Sequence, residues 1–185
     1  VTVSGNSPSS QTITLSAISG FTMKAERQET VTPTSGGLFT NSDIGDTFKL
    51  NIPANALGTG SNAGTVKSQV NTAVPRYVSG TVLSKSAVSI SAVDSGGSPI
   101  KTLNDDVTIV VPYVEADLPA GASESNLQLG VWNDATLSYD VLSTTVDTTN
   151  NTLTAVVSHF SDFAPLVSSA VPTATVASTA ATPSG

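Results

Sequence analysis

The stretch Thr47-Phe48-Lys49-Leu50-Asn51-Ile52 alternates polar and apolar side chains without a break. Successive side chains of a β-strand point to opposite faces of a sheet, so this spacing predicts a strand with one face in the core and one in solvent. The same period-two pattern recurs at residues 88–92, 107–111, 127–131 and 153–157. No long helical period accompanies it, and the chain is therefore predicted to be all-β.

Shorter or less regular alternation predicts additional strands between turn signals. These strands cover residues 12–15, 20–25, 65–70, 138–146 and 162–167. Clusters of Gly, Asn, Asp and Ser at residues 58–62, 94–97 and 147–151 predict turns. Residues 115–118 are predicted to form a single helical turn, which Pro119 ends. Short strands at this spacing predict an antiparallel β-sandwich of the immunoglobulin-like type.

The two ends of the chain differ in composition from its middle. Residues 1–11 form a polar lead that contains Pro8, and residues 168–185 consist almost entirely of Ala, Ser, Thr, Val, Pro and Gly. Such segments are typical of linkers because they bury too little apolar surface to offset the entropy of ordering. We therefore expect an extended N-terminal segment (1–11), one sandwich domain (12–167) and a linker-like tail (168–185).

Charge and composition exclude several classes of function. Charged residues make up 11% of the chain, the formal net charge is -7, and the seven Lys and Arg residues are scattered. Nucleic-acid binding requires clustered cations, so it is not expected. There is no cysteine for a disulfide, and no apolar run reaches the roughly 20 residues of a membrane span. The start at Val1 predicts a mature form whose signal peptide was removed, and we expect an extracellular or cell-surface protein, of prokaryotic origin.

An ordered series of short motifs runs through residues 43–165. It comprises residues 48–57 (FKLNIPANAL), 107–109 (VTI) leading to 112–113 (PY), 118–121 (LPAG), 127–132 (LQLGVW), 151–155 (NTLTA) and 159–164 (HFSDFA). In order and spacing this series resembles the ZU5-like β-sandwich modules of bacterial surface proteins. The resemblance implies an antiparallel sandwich; such modules serve as spacers, binding platforms or self-cleaving domains.

The last motif contains the only histidine of the chain, in His159-Phe160-Ser161. In self-cleaving relatives, the bond before the Ser of this tripeptide is broken by an N-to-O acyl shift followed by ester hydrolysis. The resemblance thus implies Ser161 as the nucleophile, His159 as its base and Phe160-Ser161 as the scissile bond. In the alternative interpretation the tripeptide is structural, with an exposed histidine at a strand end, a phenylalanine that plugs the core and a turn hydroxyl.

Three hypotheses for function follow from these features. The leading one is a non-catalytic extracellular structural module, a building block of a surface protein or filament, whose partners are copies of itself or adjacent surface-protein domains. Alternation at residues 12–15 and 173–176 predicts that the termini add as strands to the edge of a neighbour's sheet. The second hypothesis is self-cleavage. The third is an adhesin or carbohydrate-binding module. The aromatic content of only 5% argues against it, and Trp132, the single tryptophan, is expected to pack in the core beside Tyr113 or Tyr139.

No cofactor is expected, and calcium is the one metal for which the sequence offers ligands. The candidate oxygen donors are Asn104-Asp105-Asp106, Asp43 with Asp46, and Asp147 with Asn150 and Asn151. None of these groups matches a complete calcium loop. Asp and Asn are common in turns for conformational reasons alone, so calcium remains an alternative.

Overall fold

The computed structural model of the protein describes residues 26–59, 64–71, 74, 77 and 79–168. Its strands are β1 (Arg27–Val31), β2 (Gly37–Thr40), β3 (Lys49–Ile52), β4 (Gly64–Val70), β5 (Gly80–Val82), β6 (Val88–Val93), β7 (Val107–Pro112), β8 (Leu127–Asn133), β9 (Ser138–Val141), β10 (Thr144–Asp147), β11 (Thr152–Val157) and β12 (Asp162–Ser168). Short 3-10 turns span Ser84–Ser86, Glu115–Asp117 and Glu124–Asn126. The strands predicted at 12–15 and 20–25, the lead 1–11 and the tail beyond residue 168 lie outside the described residues.

The strands build two antiparallel sheets that pack face to face. One has seven strands in the order β1-β4-β6-β12-β8-β9, with β5 also paired to β12, and the other has five in the order β10-β11-β7-β3-β2. Phe48 and Leu50 are fully buried between the sheets and Ile52 is 2% exposed, as their alternation predicts. The predicted all-β antiparallel sandwich is confirmed, as is the helical turn before Pro119. Within the described residues no helix has the length and apolar character needed to cross a bilayer.

The segment predicted as one strand over residues 138–146 is in fact two strands in different sheets. β9 pairs with β8 in the seven-stranded sheet, whereas β10 pairs with β11 in the other. Between them, the Leu142 amide donates to the Leu129 carbonyl at 2.9 Å, and the Leu129 amide donates to Thr144 Oγ1 at 2.9 Å. Only Leu142 and Ser143 separate the two strands, and neither is a glycine or a proline, so the sequence carries no turn signal for the crossing.

A buried polar contact joins the two sheets on the opposite side of the sandwich. Asn41 follows β2 and is 2% exposed. Its Nδ2 donates to Ser68 Oγ on β4 at 2.9 Å, and its Oδ1 accepts from the Asp43 amide at 3.0 Å. Because both groups are buried with partners, this contact ties an edge of the five-stranded sheet to the seven-stranded sheet.

Strand β12 is buried on both of its faces. Phe163 points into the main core, while Ala164 and Leu166 belong to a second apolar cluster on the outer face of the seven-stranded sheet. Residues of the β4–β6 connection, Tyr77 among them, cover this cluster. A Cβ on Gly130 of β8 would collide with Leu166 Cδ1, so a larger residue there would force this fully buried leucine to shift. The packing therefore fixes the register in which β12 enters the sheet.

Candidate functional site at the start of strand β12

The tripeptide His159-Phe160-Ser161 lies in the loop between β11 and β12, and hydrogen bonds hold both ends of this loop. The Ser158 carbonyl accepts from the Leu103 amide at 3.0 Å, and the Ser161 carbonyl accepts from the Ile90 amide of β6 at 3.0 Å. His159 is exposed, and Phe160 is partly buried against the main core. The sequence-predicted residues thus form the entry to the central strand of the larger sheet.

The hydroxyl of Ser161 is engaged by the neighbouring strand. Ser161 Oγ donates to the main-chain carbonyl of Trp132 on β8 at 3.0 Å. A hydroxyl has a single proton, so in this geometry the proton is directed to the Trp132 carbonyl and not to His159. Attack by Ser161 on the Phe160 carbonyl requires this hydrogen bond to break. Self-cleavage stays a prediction from the tripeptide.

Two adjoining clefts open beside Trp132 and the loop. The first has a volume of about 340 Å³ and lies largely on the outer face of the seven-stranded sheet. Its polar lining consists mainly of Lys67, Gln69, Ser89, Ser91, Asp134 and Asp162. The second, of about 550 Å³, is lined on its polar side by Lys101, Asn133, Asp134, Asp140 and His159. Trp132, Phe160 and Ser161 contribute to both clefts.

Trp132 packs beside Tyr139, as predicted, but against the outer apolar cluster and not in the core between the sheets. Its side chain is partly buried on the outer face of the sheet, where its ring lies edge-on to Tyr139 at a centroid distance of 5.4 Å and an angle of 72°. Tyr139 was one of the two predicted neighbours; the other, Tyr113, instead donates its hydroxyl to Glu124 Oε2. The signal for this position was in the sequence, because the alternation that turns Val131 inward turns Trp132 outward.

The hydroxyl of Tyr139 is buried and has no hydrogen-bond partner among the described residues. Burial, together with the negative charge of Asp162, raises the pKa of Tyr139 from 10.0 to about 12. Asp162 is itself held by Ser89, whose Oγ donates to Asp162 Oδ1 at 2.5 Å. The wall of the first cleft thus contains a positioned carboxylate, and the neutral phenol of Tyr139 packs behind Trp132.

Two of the three acidic turns considered for calcium use a carboxylate for local hydrogen bonds. Asp147 accepts from the amides of Thr149 and Asn150 and from Asn150 Nδ2, and the bonds from Asn150 lower the pKa of Asp147. Asp105 Oδ1 accepts from the Asp106 amide at 2.9 Å. In the part of the chain that the structure describes, no three His, Cys, Asp or Glu side chains are grouped to hold a metal ion. Calcium binding stays a prediction.

No family model matches the chain, and no curated protein matches it. The resemblance to ZU5-like modules stays a prediction that rests on the motifs of residues 43–165.

Replacing Tyr139 with phenylalanine tests whether the Tyr139 hydroxyl lacks a hydrogen-bond partner. Since the hydroxyl lacks a partner, we expect Tyr139→Phe to leave the free energy of unfolding at pH 7 unchanged or to raise it by up to about 1 kcal/mol. The pKa of Tyr139 is higher in the folded than in the unfolded chain, because the folded state disfavours the charged phenolate. The free energy of unfolding of the wild type is therefore unaffected by the ionisation of this group below pH 10.0 and falls as the pH rises toward about 12. The variant should therefore lose less stability than the wild type over that range, as measured by urea unfolding.

Tyr113→Phe is the matched control, because its hydroxyl does have a partner in Glu124. That variant should be destabilised at pH 7 by about 1–3 kcal/mol, as expected for a lost hydrogen bond to a charged group. A loss of more than about 1 kcal/mol in Tyr139→Phe would mean that its hydroxyl is bonded in the folded protein.

Proposed function

We propose that the chain is a non-catalytic building block of an extracellular or cell-surface structure, and that it joins other copies of itself by strand addition. The observation that carries the proposal is the free edge of the five-stranded sheet at β2. Within the described strands, β2 pairs with β3 on one side and with no strand on the other. Such an edge offers unpaired main-chain groups to an incoming strand.

Three of the other sheet edges in the described part of the chain carry charged side chains. β1 carries Arg27 and Glu29, which lie 3.8 Å apart as an ion pair, β9 carries Asp140, and β10 carries Asp147. β5 is uncharged and pairs only with β12, but it is three residues long. Charged side chains on an edge oppose the addition of another strand. β2 has no charged residue, and its Leu38 is 59% exposed. An added strand would cover part of this leucine.

Residues 12–15 supply a suitable donor. They read Thr-Ile-Thr-Leu, are uncharged and match the four residues of β2 in length. The ten residues 16–25 separate them from the first described residue, Glu26. Fully extended, a segment of that length spans up to about 35 Å, which is enough to reach a neighbouring molecule. Main-chain hydrogen bonds would provide affinity, and Ile13 or Leu15 would contact Leu38.

A charge placed on the β2 edge tests the assembly. We expect Leu38→Lys to prevent association, because a charge on an edge strand opposes the addition of another strand and the apolar contact of Leu38 with Ile13 or Leu15 is lost. Val156→Lys is the matched control, since Val156 is 55% exposed on the outer face of the same sheet but lies on β11, which is paired on both sides. Sedimentation velocity should show oligomers for the wild type and Val156→Lys and monomers for Leu38→Lys. A monomeric wild type, or equal association of the two variants, would contradict the proposal.

Self-cleavage between Phe160 and Ser161 is the competing hypothesis. The hydrogen bond from Ser161 Oγ to the Trp132 carbonyl supports a structural role for the tripeptide instead. After prolonged incubation we expect mass spectrometry under denaturing conditions to find one uncut chain. Fragments 1–160 and 161–185 that disappear in Ser161→Ala would show that the module cuts itself.

A further inference from the structure

Trp132 and Phe160 differ from the other aromatic side chains of the described residues. Phe39, Phe48 and Phe163 are fully buried, and the tyrosines at positions 77, 113 and 139 are at most 9% exposed. Trp132 and Phe160 are only partly buried, and both line the two clefts at the start of β12. Aromatic surface left in water forgoes the stabilisation of burial, so its concentration in two polar clefts indicates a binding site.

The indole ring is fixed before any ligand binds. Its Nε1 donates to Asp134 Oδ1 at 2.8 Å, and Tyr139 packs edge-on against it. The buried Tyr139 cannot move without disrupting the outer apolar cluster that contains it. A ring held in this way loses little conformational entropy on binding, which favours affinity.

Polar groups on both sides of Trp132 are also held in position. In the first cleft Ser89 Oγ donates to Asp162 Oδ1 at 2.5 Å, and in the second Asn133 Nδ2 donates to Asp140 Oδ2 at 2.8 Å. Each cleft contains one lysine together with carboxylates, so neither presents the excess of cations that a polyanion requires. The chemistry fits an uncharged ligand that is rich in hydrogen-bonding groups.

We propose that Trp132 and its two clefts bind an uncharged carbohydrate chain. A pyranose with equatorial hydroxyls has an apolar C–H face, which can stack on the indole, and a rim of hydroxyls, which can bond to the carboxylates and amides on either side. Two clefts that share one aromatic ring suit an extended chain better than a single sugar. This site goes beyond the structural role proposed above and does not depend on strand addition.

The chain has a single tryptophan, so intrinsic fluorescence reports directly on this site. Cellohexaose and the β-1,4-linked hexamer of N-acetylglucosamine are suitable probes, with calorimetry as a second readout on the full chain. We expect at least one of them to change the fluorescence of Trp132 saturably. By calorimetry, Trp132→Ala should weaken the binding of that sugar by about tenfold or more, as expected for truncation of a central aromatic contact.

Ser91→Ile provides a second variant that does not alter the packed ring. Ser91 is exposed on β6 and lines both clefts, so the larger side chain should obstruct the sugar and weaken binding by about tenfold. Thr145→Ile, at an exposed strand position in the other sheet, is the matched control and should bind as the wild type does. Failure of both sugars to bind the wild type, or unchanged binding in folded Ser91→Ile, would overturn the proposal.

Discussion

The burial of β12 on both of its faces is the constraint on which the rest of the structure depends. Phe163 fills the core between the sheets, while Ala164 and Leu166 face the opposite way into the outer cluster. A shift of the strand by one residue would exchange these faces and place Asp162 in the core. Gly130 strengthens the constraint, because a side chain at that point would collide with Leu166. The register of β12 is therefore set by packing on both sides of the sheet.

This register explains why the candidate site lies where it does. Just before β12, the Ser161 carbonyl accepts a hydrogen bond from the Ile90 amide, and Ser161 Oγ donates one to the Trp132 carbonyl. The loop therefore bridges β6 and β8. Two residues further along β6, the hydrogen-bonding partner on this side of the strand is no longer the loop before β12 but the segment around Ile100. There the Ala92 carbonyl accepts from the Ile100 amide at 2.8 Å. Both clefts are lined by residues of β6 near this change of partner, Ser91 among them.

Much of the fold was predictable because the core strands alternate strictly. The strands containing Leu50, Ile109 and Leu129 all follow from period-two patterns, since each has one face in the core. β1, β2 and β5 were not predicted from the sequence. They have only three to five residues each, and each pairs with another strand along one side only. The charged residues of β1 and the glycines of β2 and β5 also interrupt the alternation of polar and apolar side chains. The crossing at Leu142 was also missed, because only two residues separate β9 from β10 and neither is a glycine or a proline.

The candidate site was predictable only in part. The tripeptide at residues 159–161 was identified from the sequence, and the structure places it at the entry to β12. Its surroundings were not identified, because Ser161 and Trp132 are separated by 29 residues and meet only through the pairing of β12 with β8. Residues on β4 and β6 that line the first cleft are more distant still. Local patterns carry no information about which distant strands become neighbours.

Amide hydrogen exchange is the most direct test of the central claim that β12 is clamped from its first residue. The decisive amides are those of Ile90 and Leu83, which donate to the carbonyls of Ser161 and Pro165. If β12 is held as described, both should exchange only through global unfolding, as slowly as amides at the centre of β8. Exchange of the Ile90 amide as fast as that of exposed His159 would show that the start of β12 opens locally and would contradict this account.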